Sequence, residues 1–284
     1  MKIKLQMLLC LLMFGSIGIF VTFIDLPSVA IVQWRTIIAT LFTIGLFCIR
    51  RKKPDWAAIR TNVLPLSISG LVLGANWACL FEAFQRTAVG MATILYYCAP
   101  IFVFIAAPIF FKEKITRLQL IGISAAITGT ILVNLMGLYS GDFSPALLFA
   151  LVAAILYATV MICNRFMKNI SGMDSSFIQL TIAAIVMTVY SFISTGNLLT
   201  FAAPRDMILV TILGVVHTGM IFPLYFYAVQ KLSPQNTAIF SYLDPASALL
   251  FAFLFLQENL AWYQLLGALL IFGGVLFAQL QTKN

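Results

Sequence analysis

The sequence has little charge. Only 9% of its 284 residues are Asp, Glu, Lys or Arg, with 9 acidic against 17 basic side chains. A soluble domain carries roughly 25% charged residues, so this chain lacks the material for a water-facing surface. Histidine occurs once, at His217, and no acidic cluster accompanies it, which removes the ligand set of a zinc site. No G-x-x-x-x-G-K-[ST] loop is present, nor a polar domain to hold one, so the chain cannot couple ATP to work by itself. An enzyme inside a membrane needs a metal cluster, a Ser–His or Cys–His pair, or paired aspartates. One histidine and one deep aspartate supply none of these, so neither an enzymatic activity nor a cofactor is expected. The five cysteines (Cys10, Cys48, Cys79, Cys98 and Cys163) sit in or at the ends of apolar runs. An odd, embedded set suits neither disulfides nor metal, and they read as small hydrophobes.

What is present is apolar: 62% of residues are hydrophobic and the mean hydropathy is +1.04. The runs approach the ~20 residues that cross a ~30 Å hydrocarbon core. They cover 5–24, 28–49, 62–84, 91–111, 117–137, 146–164, 174–194, 206–229, 235–256 and 261–280. Lipid cannot satisfy open backbone groups and the runs lack the alternation of barrel strands, so each is read as a helix. The expected fold is an all-α membrane protein of ten transmembrane helices. Lys2 and Lys4 before the first run resemble a signal peptide, but no small-residue cleavage site follows, so the run is read as the first helix. With the N-terminus in the cytoplasm, fourteen Lys and Arg fall inside, only Arg86 and Arg205 fall outside, and Arg35 lies within a span. That asymmetry orients the chain in a cell membrane with both termini cytoplasmic. It also explains the net charge of +8 without a nucleic-acid partner.

The chain repeats itself. Shifted by 145 residues, its halves align without a gap for about sixty positions. Phe81, Ala83 and Gln85 fall on Phe226, Ala228 and Gln230, and Tyr97 and Pro100 fall on Tyr242 and Pro245. Glu113, Gln119, Gly122 and Gly129 fall on Glu258, Gln264, Gly267 and Gly274. Two five-span halves follow, at 1–138 and 146–281. Five is odd, so the second half is expected upside down relative to the first. The charges agree, because basic KEKITR at 112–117 corresponds to QENLAW at 257–262, which has no Lys or Arg. Inverted halves give two shapes of similar energy opening to opposite sides, with a solute held between them near the midplane.

The segments APIFVFIAAPIFFKEK at 99–114 and DPASALLFAFLFLQEN at 244–259, with FGS at 14–16 and Arg35, resemble the drug/metabolite transporter superfamily, EamA type. The resemblance covers nearly the whole chain. It implies a ten-helix secondary transporter, in many cases an exporter of amino acids or other small metabolites. One departure is Ala99, which stands before Pro100 where the second half has Asp244, so a paired-carboxylate site has no support.

Ionisable groups at mid-bilayer cost about 2.5–3.5 kcal/mol on insertion scales and call for a role. Asp244 lies about nine residues into its span, where Ser241 and Asp244 share a polar helix face and Tyr242 adds a ring. It reads as a proton-coupling or substrate-contacting carboxylate, or as a buried backbone cap. His217 suits a proton relay, with an ordinary pKa near 6.5, or a hydrogen bond between helices. Arg35 and Glu82 fall toward the outer ends of their spans and read as a gating ion pair, with Arg35 alternatively receiving a substrate carboxylate. Ser67, Gly70, Gly74 and Ala78 form a small-residue line for close packing. Asn76 and Trp77 on other faces of that helix are cavity candidates, joined by Tyr96, Tyr97, Tyr157, Tyr225 and Tyr242, whose rings can hold an aromatic group or a cation. The expected function is alternating-access export of small metabolites such as amino acids, with proton coupling as an option. The alternative on the same fold is export of cationic drugs or choline-like amines. Expected partners are a small-molecule substrate and membrane lipids, and the chain is expected to act as a monomer.

Overall fold

The structure, a computed structural model, describes residues 2–112, 117–133, 145–201, 203–231, 240 and 243–279. Every regular element among them is helical. Seven helical segments are long and apolar enough to cross a bilayer: Lys2–Thr22, Ser28–Ile49, Val63–Arg86, Val89–Phe111, Pro145–Phe166, Gly172–Thr195 and Pro204–Tyr225. Shorter apolar helices at Leu120–Leu132, Leu243–Leu256 and Trp262–Gly274 fall on three further expected spans. The chain is an all-α membrane protein.

Three of the long segments are interrupted, each for a local reason. The first divides at Ser16 into α1 (Lys2–Gly15) and α2 (Ile17–Thr22), and the Ser16 hydroxyl donates back to the Met13 carbonyl at 2.8 Å. After α3 (Ser28–Ile49), the short α4 (Trp56–Thr61) and α5 (Val63–Arg86), the fourth segment divides into α6 (Val89–Tyr96) and α7 (Ala99–Phe111). Pro100, at the start of α7, has no N–H to continue the ladder. Then come α8 (Arg117–Val133), α9 (Pro145–Phe166), α10 (Gly172–Thr195) and α11 (Pro204–Ile212). An eight-residue π-helix, Leu213–Met220, joins α11 to α12 (Ile221–Lys231). Such wide turns are rare and concentrate at functional sites. Here Gly214 and Gly219 let the π-helix lie on α3, since a Cβ on them would stand 2.7 Å from Ile38 and 2.6 Å from Phe42. The last elements are α13 (Leu243–Leu256) and α14 (Trp262–Gln279).

Small residues set the closest approaches, as expected where packing rather than water drives association. A Cβ on Gly70 would stand 2.8 Å from Ile182, and one on Gly74 3.2 Å from Met187, so the small-residue line of α5 meets α10. Contacts also recur with their partners exchanged. Helix α1 packs on α12 and α13, while its repeat equivalent α9 packs on α5 and on α6 and α7. A Cβ on Gly129 of α8 would lie 2.5 Å from the Gly267 carbonyl, and one on Gly274 of α14 would lie 2.5 Å from the Gly122 carbonyl. Left-handed backbone recurs at the same spacing: Arg51 (φ 49°) with Gly196 (φ 74°), and Lys112 (φ 55°) with Gln257 (φ 55°).

Candidate solute site

A cavity of about 420 Å³ lies among α1, α2, α3, α5, α6, α9, α10, α12 and α13. Its walls are mostly aromatic and aliphatic, with a few polar groups, the usual balance for a small-molecule pocket.

Arg35 is its cationic pole. This side chain is only 1% exposed. Its guanidinium lies 4.2 Å from the Trp77 ring centroid and 5.3 Å from that of Phe81, faces that attract a cation. Nε donates to the Thr218 hydroxyl at 2.5 Å, and Nη1 is buried with no hydrogen-bond partner among the described residues. The π-helix places Thr218 there, because the Thr218 hydroxyl itself donates five residues back, to the Leu213 carbonyl at 2.9 Å. Two more buried hydroxyls on the cavity wall, Thr93 Oγ1 and Ser176 Oγ, also have no partner. Unmatched buried polar atoms are rare in proteins and need an explanation. A polar solute in the cavity would supply one.

Asp244, in the first turn of α13, is the anionic pole. It accepts a hydrogen bond from the Tyr97 hydroxyl on α6's C-terminal side and has no cationic partner among the described residues. Aromatic rings line the same cavity. Tyr96 stacks on Tyr157 at 5.2 Å between centroids, and Phe222 meets Trp77 edge-on at 5.6 Å. Farther along, the wall is amide and hydroxyl. Gln179 Nε2 donates to Ser175 Oγ at 2.7 Å and to Asn164 Oδ1 at 3.2 Å, and Gln179 Oε1 accepts from Ser69 at 2.7 Å.

Of the residues singled out by sequence, Arg35, Trp77, Tyr96, Tyr97, Tyr157, Tyr225 and Asp244 line this cavity. Three do not. The Asn76 amide donates to the Ala153 carbonyl of α9 at 2.6 Å and accepts from the Tyr96 hydroxyl at 3.3 Å. Both sides of α5 are packed, α10 on one and α9 on the other, so facing away from the glycines did not turn Asn76 to open space. His217 is fully buried, with Nε2 3.0 Å from the Ser16 hydroxyl and its ring edge-on to Phe20 at 4.9 Å. It clamps the break in the first span, from behind the cavity wall. The expected Arg35–Glu82 pair is not formed. Glu82 instead takes Arg86, one turn on along α5, as its ion partner, and accepts from Ser28 at 2.5 Å. The (i, i+4) neighbour on the same helix is the nearer cation, while Arg35 turns toward its rings. Ser241 and Tyr242 lie outside the described residues.

Sequence inspection passed over Thr93, Asn164, Ser176, Gln179 and Thr218. A signal existed for two of them: Asn164 continues the helical line Tyr157–Val160–Met161, and Gln179 is a lone amide within an apolar run. Nothing in the sequence marked Thr218, because a π-turn shifts the face on which a residue emerges.

Comparison with known proteins gives a consistent result. The EamA-like transporter family matches twice, over residues 1–135 and 144–279. The uncharacterized transporter YxxF of Bacillus subtilis (strain 168) is 30% identical over 280 residues, covering 95% of this chain and 87% of that protein. An uncharacterized transporter of Archaeoglobus fulgidus is 25% identical over 266 residues, 93% of this chain and 91% of its own. A crystal structure with 15% sequence identity superposes with a TM-score of 0.67 over 100% of this chain and 99% of that one, which supports the fold.

Proposed function

We propose that this chain, which belongs to the EamA-like transporter family of the drug/metabolite transporter superfamily, is a secondary active exporter of amino acids. Its two halves are inverted repeats that rock about the cavity to expose it to either side in turn. In support, the contacts of one half on the other recur with roles exchanged, as they do across a two-fold axis.

The observation that carries the substrate class is a pair of opposite charges in one apolar cavity, neither neutralised by the other. Among the described residues, Nη1 of Arg35 has no hydrogen-bond partner and the Asp244 carboxylate is engaged by the Tyr97 hydroxyl alone. A zwitterion answers both: its carboxylate takes the guanidinium through charge-assisted hydrogen bonds, and its ammonium group takes the carboxylate. The rings of Trp77, Tyr96, Tyr157 and Phe222 then accept an apolar or aromatic side chain. Asp244 also serves coupling. Protonated, it releases the ammonium group, and a proton crosses in exchange for the solute. Arg35 and Asp244 are thus the substrate contacts, while His217 and Asn76 position the walls.

The second reading, a carrier of cationic amines, draws on the same Asp244 and tyrosines but leaves Arg35 unanswered. Purified protein in proteoliposomes under a proton gradient separates the two, with a panel of amino acids against organic cations of matched side chain. Gradient-dependent flux of amino acids supports the proposal, and flux of the cations alone overturns it.

A further inference from the structure

A second cleft, of about 440 Å³, opens at the end of the bundle where α3 finishes. Its floor is apolar, formed by Ile44 and Phe47 of α3, Phe177 of α10 and Trp56 of α4. Its rim is the basic run after α3, with Arg51, Lys52 and Lys53 all contributing to the lining. The chain does not lead these cations away. Arg51 takes a left-handed turn, φ 49°, and the Lys52 N–H returns to the Phe47 carbonyl at 3.1 Å, folding the run back over the cleft. No ion pair engages Arg50, Arg51, Lys52 or Lys53 among the described residues. The acidic groups at this corner are occupied: Asp55 caps α4 through the Ala58 N–H at 3.0 Å, and Asp174 accepts from Ser171 at 2.6 Å.

The corresponding corner of the other half is built differently. The repeat equivalent of Arg51 is Gly196, where the left-handed turn (φ 74°) is unstrained. The chain beyond it is uncharged and is drawn down onto α3. Gln33 donates to the Leu198 carbonyl at 2.6 Å, Trp34 donates to the Thr200 carbonyl at 2.8 Å, and Phe201 packs on Trp34 at 5.2 Å. One half thus ties an uncharged loop to the start of α3. The other folds a basic run over an open cleft and places arginine where glycine would fit without strain. Left-handed backbone is uncommon outside glycine, and accepting it here keeps a third cation on the rim of the cleft.

We infer that the cleft beside α3 is a binding site for one anionic phospholipid of the adjoining leaflet. An acyl chain lies against Phe47, Phe177 and Trp56, and the headgroup phosphate meets Arg51, Lys52 and Lys53. Basic pockets between helices at a membrane surface recognise such headgroups, and the apolar floor requires an attached chain, which free phosphate lacks. The inference does not depend on the identity of the transported solute.

The test is native mass spectrometry of the detergent-purified chain with added dioleoyl phosphatidylglycerol or dioleoyl phosphatidylcholine. Wild type is expected to retain one phosphatidylglycerol and to lose phosphatidylcholine at collision energies where the anionic lipid stays bound. Neutralising R51Q/K52Q/K53Q together removes that preference, whereas R60Q/K168Q, elsewhere on the basic surface, leaves it intact. R51G separates lipid binding from folding: glycine suits the turn, so the melting temperature holds or rises while retention of phosphatidylglycerol falls. Equal retention of both lipids by wild type, or undiminished phosphatidylglycerol binding by the triple variant, overturns the inference. Loss of the preference in R60Q/K168Q overturns it as well, by assigning it to diffuse surface charge.

Discussion

Replacing Arg35 with methionine separates a cation kept for a solute from one kept for packing. A guanidinium held in the interior without a counter-ion costs several kcal/mol of desolvation. Opposing that cost are two ring faces, at 4.2 and 5.3 Å from the guanidinium carbon, each contributing about 0.5–2 kcal/mol. The hydrogen bond to Thr218 adds about 1.5–3 kcal/mol. These opposing contributions are of similar size. Methionine keeps the unbranched stem and loses the charged head, so R35M without solute is expected to stay within about 1 kcal/mol of wild-type stability. Binding behaves differently. A solute carboxylate on the free Nη1 gains about 1.5–3 kcal/mol, and its loss weakens affinity about 10- to 150-fold. Phenylalanine and phenethylamine, which differ by that carboxylate, make the comparison in a tryptophan-fluorescence titration alongside thermal melts. R35M should weaken phenylalanine by that factor while changing phenethylamine by less than about threefold. Equal weakening of both ligands with a lowered melting temperature would assign Arg35 to packing. Unchanged phenylalanine affinity would refute the reasoning outright.

Three further outcomes are expected. Asp244→Asn keeps an acceptor for the Tyr97 hydroxyl, so solute exchange at equal pH persists in proteoliposomes, at weakened affinity because the ammonium group loses its carboxylate, while uphill movement driven by a pH gradient is lost; retained gradient-driven transport would remove Asp244 from coupling. Glu258 holds the N-terminus of α6 with both oxygens, on the Val89 N–H at 2.7 Å and the Gly90 N–H at 2.9 Å. Glu258→Gln loses the charge and one acceptor, about 1 kcal/mol, so alkylation of a cysteine placed at Thr93 by a polar maleimide rises roughly fivefold. Gly129→Ala and Gly274→Ala each push a Cβ to 2.5 Å from a backbone carbonyl that cannot yield as a side chain would. Both should lower stability by about 1–3 kcal/mol and by similar amounts, as thermal melts of the two variants would report.

Much of the fold was legible before any coordinates. The seven long spans and the three shorter apolar helices fall where the apolar runs predict them, because lipid leaves the backbone only one economical way to satisfy itself. The sequence also carries Pro, Gly, Glu and Gln in common register at a spacing of 145 residues, and left-handed backbone occurs at that same spacing, at Arg51 and Gly196 and at Lys112 and Gln257. The site was legible in part. Arg35 and Asp244 stood out because a charge inside an apolar run is costly, and both line the cavity. His217 stood out for the same reason, and Asn76 for lying away from the glycines of its helix; neither lines the cavity, since polarity says that a partner is needed but not whether that partner is a solute or another helix.

Composition and the length of the apolar runs by themselves determined the solvent and the helices, both of which follow from how each residue partitions between water and lipid. Only the packed chain decided which faces meet. It gave Glu82 to Arg86 and Arg35 to Trp77 and Thr218, and through a π-turn it moved Thr218 to a face no regular helix would have assigned. The reason is that hydropathy is a property of single residues, whereas a partner is a matter of distance between elements far apart in the chain.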